Sequence, residues 1–165
     1  MAERVAHLAA KVLTVSDGVA AGTREDHAGV ALVARLGERG FDVVEHRVVA
    51  DGIAPVAAAL QAMTEGFAGL VVTTGGTGFG PRDLTPEGTA EVLERDAPGI
   101  VEAIRRSGDE ADRGFGMLSR ARAGTVGRAL VVNTPGSSNG ALEALEVVLP
   151  VVSHSLELLR GDRPH

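Results

Sequence analysis

The residues best suited to chemistry lie in one segment, residues 73–87, which reads TTGGTGFGPRDLTPE. Its four glycines within six positions let the backbone approach a ligand closely and turn N–H groups toward an anion. Arg82 adds a planar fork of hydrogen-bond donors, and Asp83 adds a carboxylate of the kind that holds Mg²⁺. The glycines alone would favour a tight strand-to-helix turn. Followed directly by Arg82, Asp83 and a capped helix, they predict a phosphate-binding site.

This loop matches neither of two common nucleotide-binding motifs. A P-loop requires Gly-Lys-Ser/Thr at its end, and no such triplet follows these glycines. A Rossmann fingerprint counted from Gly76 would need its third glycine where Pro81 stands, and it would follow the first strand rather than a later one. The loop therefore predicts anion binding without predicting either of those folds.

Three other polar segments follow predicted strands. Asp17 follows the first strand and Asp51 the second, and each alone is more typical of a turn or helix cap than of a functional group. Residues 133–140 fit a simple loop and helix entry. They fit equally well an anion site in which Ser137, Ser138 and backbone N–H groups lie at a helix N-terminus. The five histidines lack metal-ligand spacing, and a hydrolase triad is not expected.

The composition narrows the classes of function. The chain has 165 residues, a formal net charge of −6, no cysteine and only 2% aromatic residues. Without cysteine, disulfides, thiolate metal sites and cysteine nucleophiles are excluded. The acidity and the scarcity of aromatic residues predict no nucleic-acid partner and no membrane partner. With no apolar stretch near ~20 residues and no signal-peptide layout at the start, a cytoplasmic protein is expected.

Strands and helices alternate in the hydrophobic pattern. Strands are predicted at residues 10–15, 41–49, 70–74 and 129–132, and the charges within 41–49 place that strand at a sheet edge. A first helix is predicted from the capping pair Thr23 and Asp26 to about Arg39, ending at Gly40. Its predicted apolar face comprises Val30, Val33 and Leu36.

Prolines mark most of the remaining predicted helices. A second helix is predicted to begin at Pro55, and a third at Pro86 with Thr85 as its cap. A fourth begins at Pro98. After residue 140 a helix carrying Leu142, Leu145 and Leu149 is predicted to be interrupted at Pro150, and a last helix covers about residues 151–160.

This alternation predicts an α/β fold with a mostly parallel sheet covered by helices on both faces. We expect a single domain over residues 5–160, with flexible termini at 1–4 and 161–165. Ligands of such sheets bind at the carboxyl ends of the strands. Those ends carry residues 16–18, 51–52, 75–83 and 133–140, so four polar or glycine-rich loops are predicted to meet at one rim.

The motifs resemble those of one family, the MogA/MoaB proteins of molybdenum cofactor biosynthesis, whose domain also occurs in gephyrin. The resemblance rests on GGTG at 75–78 with PRDLTPE at 81–87, and on LTVSD at 13–17, MLSRA at 117–121 and PGS at 135–137. The motifs span almost the whole chain in the family's order. The resemblance implies a three-layer α/β/α sandwich around a mostly parallel sheet.

The resemblance also implies an activity and site residues. The family's adenylyltransferases join molybdopterin to AMP, use Mg·ATP as co-substrate and release pyrophosphate. By resemblance Asp51 and Asp83 are catalytic and hold Mg²⁺, and Arg82 is assigned to catalysis with them. The nucleotide and phosphate site is expected to comprise Gly75, Gly76, Thr77, Gly78 and Asp17. The pterin site is expected to comprise Pro135, Gly136, Ser137 and Ser138.

The expected mechanism uses the terminal phosphate of molybdopterin as the nucleophile, so the protein mainly aligns two polyanions and offsets their charge. Two alternatives stay open. One is a non-catalytic pterin-binding or carrier protein of the MoaB type. The other is a nucleotide-processing enzyme like the related domain of competence-associated proteins. Because active relatives form trimers, a homotrimer is expected, with a molybdenum insertion protein as a possible partner for hand-over.

Overall fold

The computed structural model describes residues 8–111 and 114–162 of the chain. Within these ranges six strands form one sheet: β1 (Leu8–Val15), β2 (Phe41–Val49), β3 (Gly69–Thr74), β4 (Arg95–Asp96), β5 (Ala123–Val126) and β6 (Ala129–Thr134). The α-helices are α1 (Asp17–Ala20), α2 (His27–Glu38), α3 (Ile53–Thr64), α4 (Thr85–Ala90), α5 (Pro98–Ala111) and α6 (Ser138–Arg160). A 3₁₀ turn covers Phe115–Leu118.

The sheet has the strand order β2-β1-β3-β6-β5-β4. Its first four strands are parallel to one another, whereas β5 runs antiparallel to both β6 and β4. The prediction of a mostly parallel sheet is therefore confirmed, as is the edge position of β2. The short strands β4 and β5 were not predicted, because two and four residues are too few to show a periodic pattern.

Helices cover both faces of the sheet, which confirms the three-layer α/β/α sandwich. Ala10 and Val12 of β1 join a core with α2, α5 and α6 on one face. Leu13 and Val15 of the same strand join a second core with α3 on the other face. Strands β3 and β6 are buried along their whole length, as expected for central strands of a parallel sheet.

The structure corrects the predicted cap and apolar face of α2. Asp26 caps the helix by accepting a hydrogen bond from Gly29 N at 2.8 Å, whereas Thr23 bonds to a carbonyl outside the helix. Val30 is 61% exposed, and Leu32 is fully buried in its place beside Leu36. Val33 is only partly buried against the same core, so the buried stripe runs through Ala28, Leu32 and Leu36 instead.

Two further helix starts differ from the prediction. Helix α3 begins at Ile53, so Pro55 lies at its third position rather than its first. Helix α4 has Leu84 in the capping position, and Thr85 is its first residue. The Thr85 hydroxyl donates 2.8 Å to the carbonyl of Gly75 instead of capping the helix. It therefore ties α4 to the glycine loop.

The predicted break at Pro150 is wrong, since α6 runs without interruption through it. Pro150 is exposed, while Val148, Val152 and Leu156 on the opposite side of the helix are buried. The missing N–H therefore falls on the solvent side, and core packing holds both halves in line. Gly161 ends the helix in the left-handed region at φ +89°. Of the predicted flexible termini, residues 1–4 and 163–165 lie outside the described residues.

None of the helices in residues 8–111 and 114–162 is both long enough and apolar enough to cross a membrane.

Candidate functional site

The four predicted loops meet at the carboxyl ends of β1, β2, β3 and β6. There they line a cleft of about 500 Å³, here called the rim cleft. Its lining includes Ser16, Asp51, Gly75, Gly76, Asp83, Gly136, Ser137 and Ser138. Parallel strands bring these loops together because each strand ends at the same side of the sheet.

A second cavity of about 260 Å³, here called the side cavity, adjoins the glycine loop. Thr77, Gly78 and Pro135 line it, together with Ile104, Leu118 and Ala144, which make part of its wall apolar. Ser137 lines both cavities. The structure therefore divides the predicted nucleotide loop between two spaces. Gly75 and Gly76 face the rim cleft, and Thr77 and Gly78 face the side cavity.

Three of the predicted polar residues form one hydrogen-bonded cluster. Arg82 donates from Nε and Nη2 to the two carboxylate oxygens of Asp17, each at 3.0 Å, and from Nη2 to the carbonyl of Asp51 at 2.9 Å. Asp17 N donates to Asp51 Oδ2 at 2.8 Å, and Asp51 N donates to Asp17 Oδ1 at 3.1 Å. Arg82 thus positions the two aspartates, and most of its donor fork is occupied by the protein itself.

Charge in this cluster is strongly paired. The hydrogen bonds from Arg82 hold the pKa of Asp17 below its ordinary value of 3.8. Asp17 in turn raises the pKa of the Arg82 guanidinium. Neither Asp17 nor Arg82 lines the rim cleft or the side cavity. Both bond to Asp51, which lines the rim cleft. Their geometry is that of supporting groups.

Asp83 is held inside the glycine loop. Its Oδ2 accepts from Gly80 N at 2.9 Å, and its own N–H donates to the Gly80 carbonyl at 3.0 Å. A Cβ at Gly78 would lie 3.0 Å from the same Oδ2 atom. The absence of a side chain at Gly78 therefore leaves room for the Asp83 carboxylate.

Gly75 and Gly76 have structural reasons to be glycine. Both have positive φ, +99° and +68°. A Cβ at Gly75 would lie 2.2 Å from the Val15 carbonyl oxygen, and one at Gly76 would lie 2.3 Å from Thr85 Oγ1. The loop therefore packs directly on the end of β1 and on the start of α4.

The loop keeps a run of unpartnered donors. Within the described residues, the N–H groups of Gly76, Thr77, Gly78 and Phe79 donate to no protein acceptor. The first-turn N–H groups of Ser138 and Asn139 in α6 likewise have no protein acceptor there. Gly136 brings the two segments together, since a Cβ on it would lie 3.3 Å from Gly75 Cα. Converging N–H groups at a helix N-terminus are a typical anion site.

Arg120 fixes this loop, and sequence reasoning gave it no role. Its Nε donates to Gly78 O at 2.9 Å and its Nη2 to Asp83 O at 2.5 Å, while its backbone N–H donates to Thr77 O at 3.0 Å. Peptide N–H and C=O groups point in opposite directions in trans bonds, so the N–H groups of Gly78 and Phe79 point away from Arg120. Its place in the MLSRA segment was the available signal.

Glu87 accepts a hydrogen bond from Arg120 Nη1. Arg120 and Glu87, with the loop carbonyls that Arg120 contacts, are here called the arginine clamp. Burial acts to raise the pKa of Glu87, but the hydrogen bond and charge of Arg120 outweigh it, so the pKa lies below the ordinary value. Glu87 lies in the first turn of α4. The clamp therefore joins the loop to the helix that follows it.

A second polar cluster supports the opposite wall of the rim cleft. Asp26 Oδ2 lies 2.6 Å from Thr14 Oγ1 and 2.9 Å from His46 Nε2. Gly29 packs on this cluster so closely that a Cβ would lie 2.2 Å from Thr14 Oγ1. These contacts hold the start of α2 against the ends of β1 and β2.

Ser138 stands in the middle of a Gly-x-Ser-x-Gly sequence at residues 136–140, so that pattern alone did not exclude a nucleophilic serine. The structure places Ser138 in the first turn of α6 rather than at a strained turn before it. His27, which lines the same cleft, lies 3.4 Å from Glu25 instead. This geometry does not favour Ser138 as a nucleophile.

Of the three predicted site aspartates, Asp51 and Asp83 line the rim cleft. Each has one oxygen, Oδ2, that accepts a backbone N–H, and an Oδ1 that accepts no hydrogen bond from the described residues. Those residues contain no group of three or more metal-binding side chains. Mg²⁺ typically takes one or two carboxylates together with substrate phosphates and waters, so this donor set fits Mg²⁺ bound with a nucleotide.

Comparison with known proteins identifies the family of the chain. The family model described as "Probable molybdopterin binding domain" matches residues 11–154. A molybdenum cofactor biosynthesis bifunctional protein from Chlorobaculum tepidum is 38% identical over 156 residues, which cover 94% of this chain and 50% of that protein. The chain thus spans about half the length of that relative.

Two further relatives are matched over nearly their whole length. A molybdopterin adenylyltransferase from Helicobacter pylori is 34% identical over 154 residues, covering 92% of this chain and 87% of that protein. The solved structure of MoaB from Thermus thermophilus superposes with a TM-score of 0.85 at 41% identity, covering 94% of this chain and 98% of that one. The fold and the matched family model place the chain among α/β/α proteins of the class described as probable molybdopterin-binding domains. The chain belongs to the MogA/MoaB family of molybdenum cofactor biosynthesis proteins, which confirms the resemblance of the motifs.

Proposed function

We propose that this protein transfers the adenylyl group of Mg·ATP to molybdopterin, giving adenylylated molybdopterin and pyrophosphate. The observation that carries the proposal is a set of N–H groups that find no acceptor among the described residues where the two cavities adjoin, those of Gly76 and Ser138 on the rim cleft and those of Thr77 and Gly78 on the side cavity. Such donors suit a polyphosphate more than a neutral ligand. The similarity to the Helicobacter pylori molybdopterin adenylyltransferase supports the same conclusion.

The chemistry needs no protein nucleophile. A terminal phosphate oxygen of molybdopterin forms a bond to the α-phosphorus of ATP, and the bond from that phosphorus to the bridging oxygen breaks as pyrophosphate leaves. The attacking phosphate is already anionic near neutral pH. The residues therefore serve to align the two anions and to offset the charge that builds up between them.

We assign the nucleotide phosphates to the rim cleft and the pterin to the side cavity. The rim cleft holds Gly75, Gly76 and both cation-accessible carboxylates. The side cavity has the partly apolar wall that a flat heterocycle requires. Ser137 lines both and caps α6 by accepting from Gly140 N at 3.1 Å. A phosphate that joins the two ligands would lie between the cavities, beside Ser137 and Gly136.

Mg²⁺ would be held by Asp51 and Asp83, where it supplies positive charge to phosphate oxygens. Both carboxylates are positioned by backbone donors, Asp51 by Asp17 N and Asp83 by Gly80 N. Arg82 is assigned a positioning role here, because Asp17 and the Asp51 carbonyl occupy most of its donors. This narrows the catalytic role that the sequence suggested for it.

A second candidate function is pterin binding without catalysis, as in a carrier protein. The similarity to the MoaB structure from Thermus thermophilus favours it as the alternative. Incubation of the pure protein with molybdopterin and Mg·ATP separates the two. Adenylylated pterin with an equal amount of pyrophosphate supports transfer, whereas tight pterin binding with no ATP-dependent product supports the carrier.

A further inference from the structure

We propose that Arg24 binds the nucleotide phosphates in the rim cleft and provides the positive side-chain charge of that cleft. Arg24, with its backbone and side chain, is here called the arm. The inference rests on the proposed nucleotide site and adds to it a residue on the opposite wall, in the segment between α1 and α2. The sequence had assigned this charge to Arg82. Arg24 lines the cleft, pairs with no acid among the described residues and has an anchored backbone.

The ionisable side chains of the cleft are mostly acidic. Among the described residues that line it, Arg24 is the only arginine or lysine, whereas Glu25, Asp26, Asp51 and Asp83 are four carboxylates. A triphosphate that enters the cleft would meet mostly negatively charged side chains. Backbone N–H groups and a divalent cation offset part of it, and Arg24 is the permanent side-chain cation in reach.

The guanidinium of Arg24 is available, unlike that of Arg82. Within the described residues it forms no ion pair, although acidic residues flank it. Glu25 lies 3.4 Å from His27 Nε2, and Asp26 accepts hydrogen bonds from Thr14 Oγ1 and Gly29 N. These neighbouring acids are therefore already engaged, and Arg24 keeps its full donor fork for a ligand.

The backbone of the arm is anchored on one carbonyl. Gly18 O accepts from Thr23 N at 2.9 Å, from Arg24 N at 3.2 Å and from Thr23 Oγ1 at 3.1 Å. Three donors on a single acceptor fold the segment back on α1. The Cα of Arg24 is therefore fixed although its side chain is exposed.

The aliphatic part of the arm rests on the same residue. A Cβ at Gly18 would lie 2.7 Å from Cδ and 3.0 Å from Cγ of Arg24. Gly18 does not have positive φ, so its backbone would accept another residue. What the glycine provides is the space that the Arg24 side chain occupies, and this sets the direction of the guanidinium.

The first test compares Arg24→Gln with a control variant, Arg128→Gln, which removes the same charge. Arg128 lies in the exposed turn before β6, and the length of that strand separates it from the rim cleft by about 20 Å. Mg·ATP and inorganic pyrophosphate are titrated into each protein by calorimetry. Arg24→Gln is expected to weaken ATP binding about tenfold and to flatten its salt dependence, with an unchanged melting temperature. Arg24→Lys should recover part of the loss, and Arg128→Gln should bind as the wild type does.

The second test uses Gly18→Ala, which displaces the arm without removing it. We expect weaker ATP binding by a factor of about three to ten, and no further effect when Arg24→Ala is already present. Additive losses, or normal ATP binding by Arg24→Gln in a protein whose wild type binds ATP, would overturn the role of Arg24 and leave the proposed function standing. A wild type that binds neither ATP nor pyrophosphate would contradict both.

Discussion

At the residue scale, the three aspartates of the site differ in what already engages them. Both oxygens of Asp17 accept hydrogen bonds from Arg82, so Asp17 acts as a structural partner. Asp51 and Asp83 each direct one oxygen to a backbone N–H and leave the other without a protein donor in the described residues. The sequence singled out Asp17 and Asp51 because they follow strands, and Asp83 because it lies in the glycine loop. Only the structure shows which of their oxygens are already hydrogen-bonded.

The proposed magnesium role gives a prediction for Asp51→Asn and Asp83→Asn. Asparagine keeps an oxygen that accepts from Asp17 N or Gly80 N but loses the charge that binds a hard cation. Adenylyl transfer should fall about 100-fold to 1000-fold, with pterin affinity and melting temperature nearly unchanged. The double variant should be little worse than either single one, because the residues act as a unit. A folded Asp83→Asn protein with a near-normal rate would refute the metal site.

The Asp17–Arg82 pair gives a pH prediction. Because the pKa of Asp17 is lower in the folded protein than its ordinary 3.8, the pair stabilises the fold above that value. The contribution is lost as the pH falls through the folded-state pKa. Asp17→Asn should therefore melt earlier than the wild type at pH ~7, and the difference should shrink below pH ~4. A difference that stays constant down to pH ~2 would show that the pair does not stabilise through charge.

At the element scale, the glycine loop combines turn glycines with ligand glycines, and a pair of variants distinguishes them. Gly75→Ala should cost about 3 kcal/mol or more, since it meets both a φ of +99° and the Val15 carbonyl at 2.2 Å. Gly78→Val should fold, because Gly78 lacks positive φ, but it should lose ATP binding as the side chain presses on Asp83. Thermal melting and ATP titration of both variants check this. Normal ATP binding by Gly78→Val would mean that the glycine serves only the turn.

The sequence predicted the long elements well and their interactions less well. Strands β3 and β6 were identified because strands buried on both faces are continuously apolar. The cap of α2 was misassigned, since Thr23 and Asp26 are both cap-forming residues and only the folded contacts select Asp26. Its buried face was misassigned because the apolar residues at 30, 32, 33 and 36 fit more than one stripe at helical spacing. Pro150 was misassigned because a proline cannot report which side of a helix faces the core. Tertiary contacts, not local preference, decide both cases.

The position of the site was predictable from the sequence, but its hydrogen-bond network was not. The carboxyl ends of parallel strands predicted the convergence of the loops. The division of the glycine loop between two cavities was not predictable, nor was the clamp by Arg120, which is 42 residues from Gly78 in the chain. Hydrogen bonds between distant segments leave no periodic signal in a single sequence. The same applies to Arg82, whose partner Asp17 lies 65 residues away.

At the scale of the whole molecule, the homotrimer remains a prediction from the family. Phe79 in the glycine loop is 72% exposed, and Val30 on α2 is 61% exposed, so large apolar side chains are available to an interface. Light scattering at micromolar concentration should give three times the mass of one chain. The mass of a single chain would contradict the prediction, and a hexamer would point to the MoaB-like branch of the family.

Adenylyl transfer between the two adjoining cavities can be followed with ATP labelled at the α-phosphorus. The pure protein is incubated with molybdopterin, labelled ATP and Mg²⁺, and the pterin fraction is separated. We expect the label in the pterin product, unlabelled pyrophosphate in equal amount, and loss of both in Asp83→Asn. Bound molybdopterin with all the label still in ATP, under conditions where ATP also binds, would show that the protein does not transfer the adenylyl group.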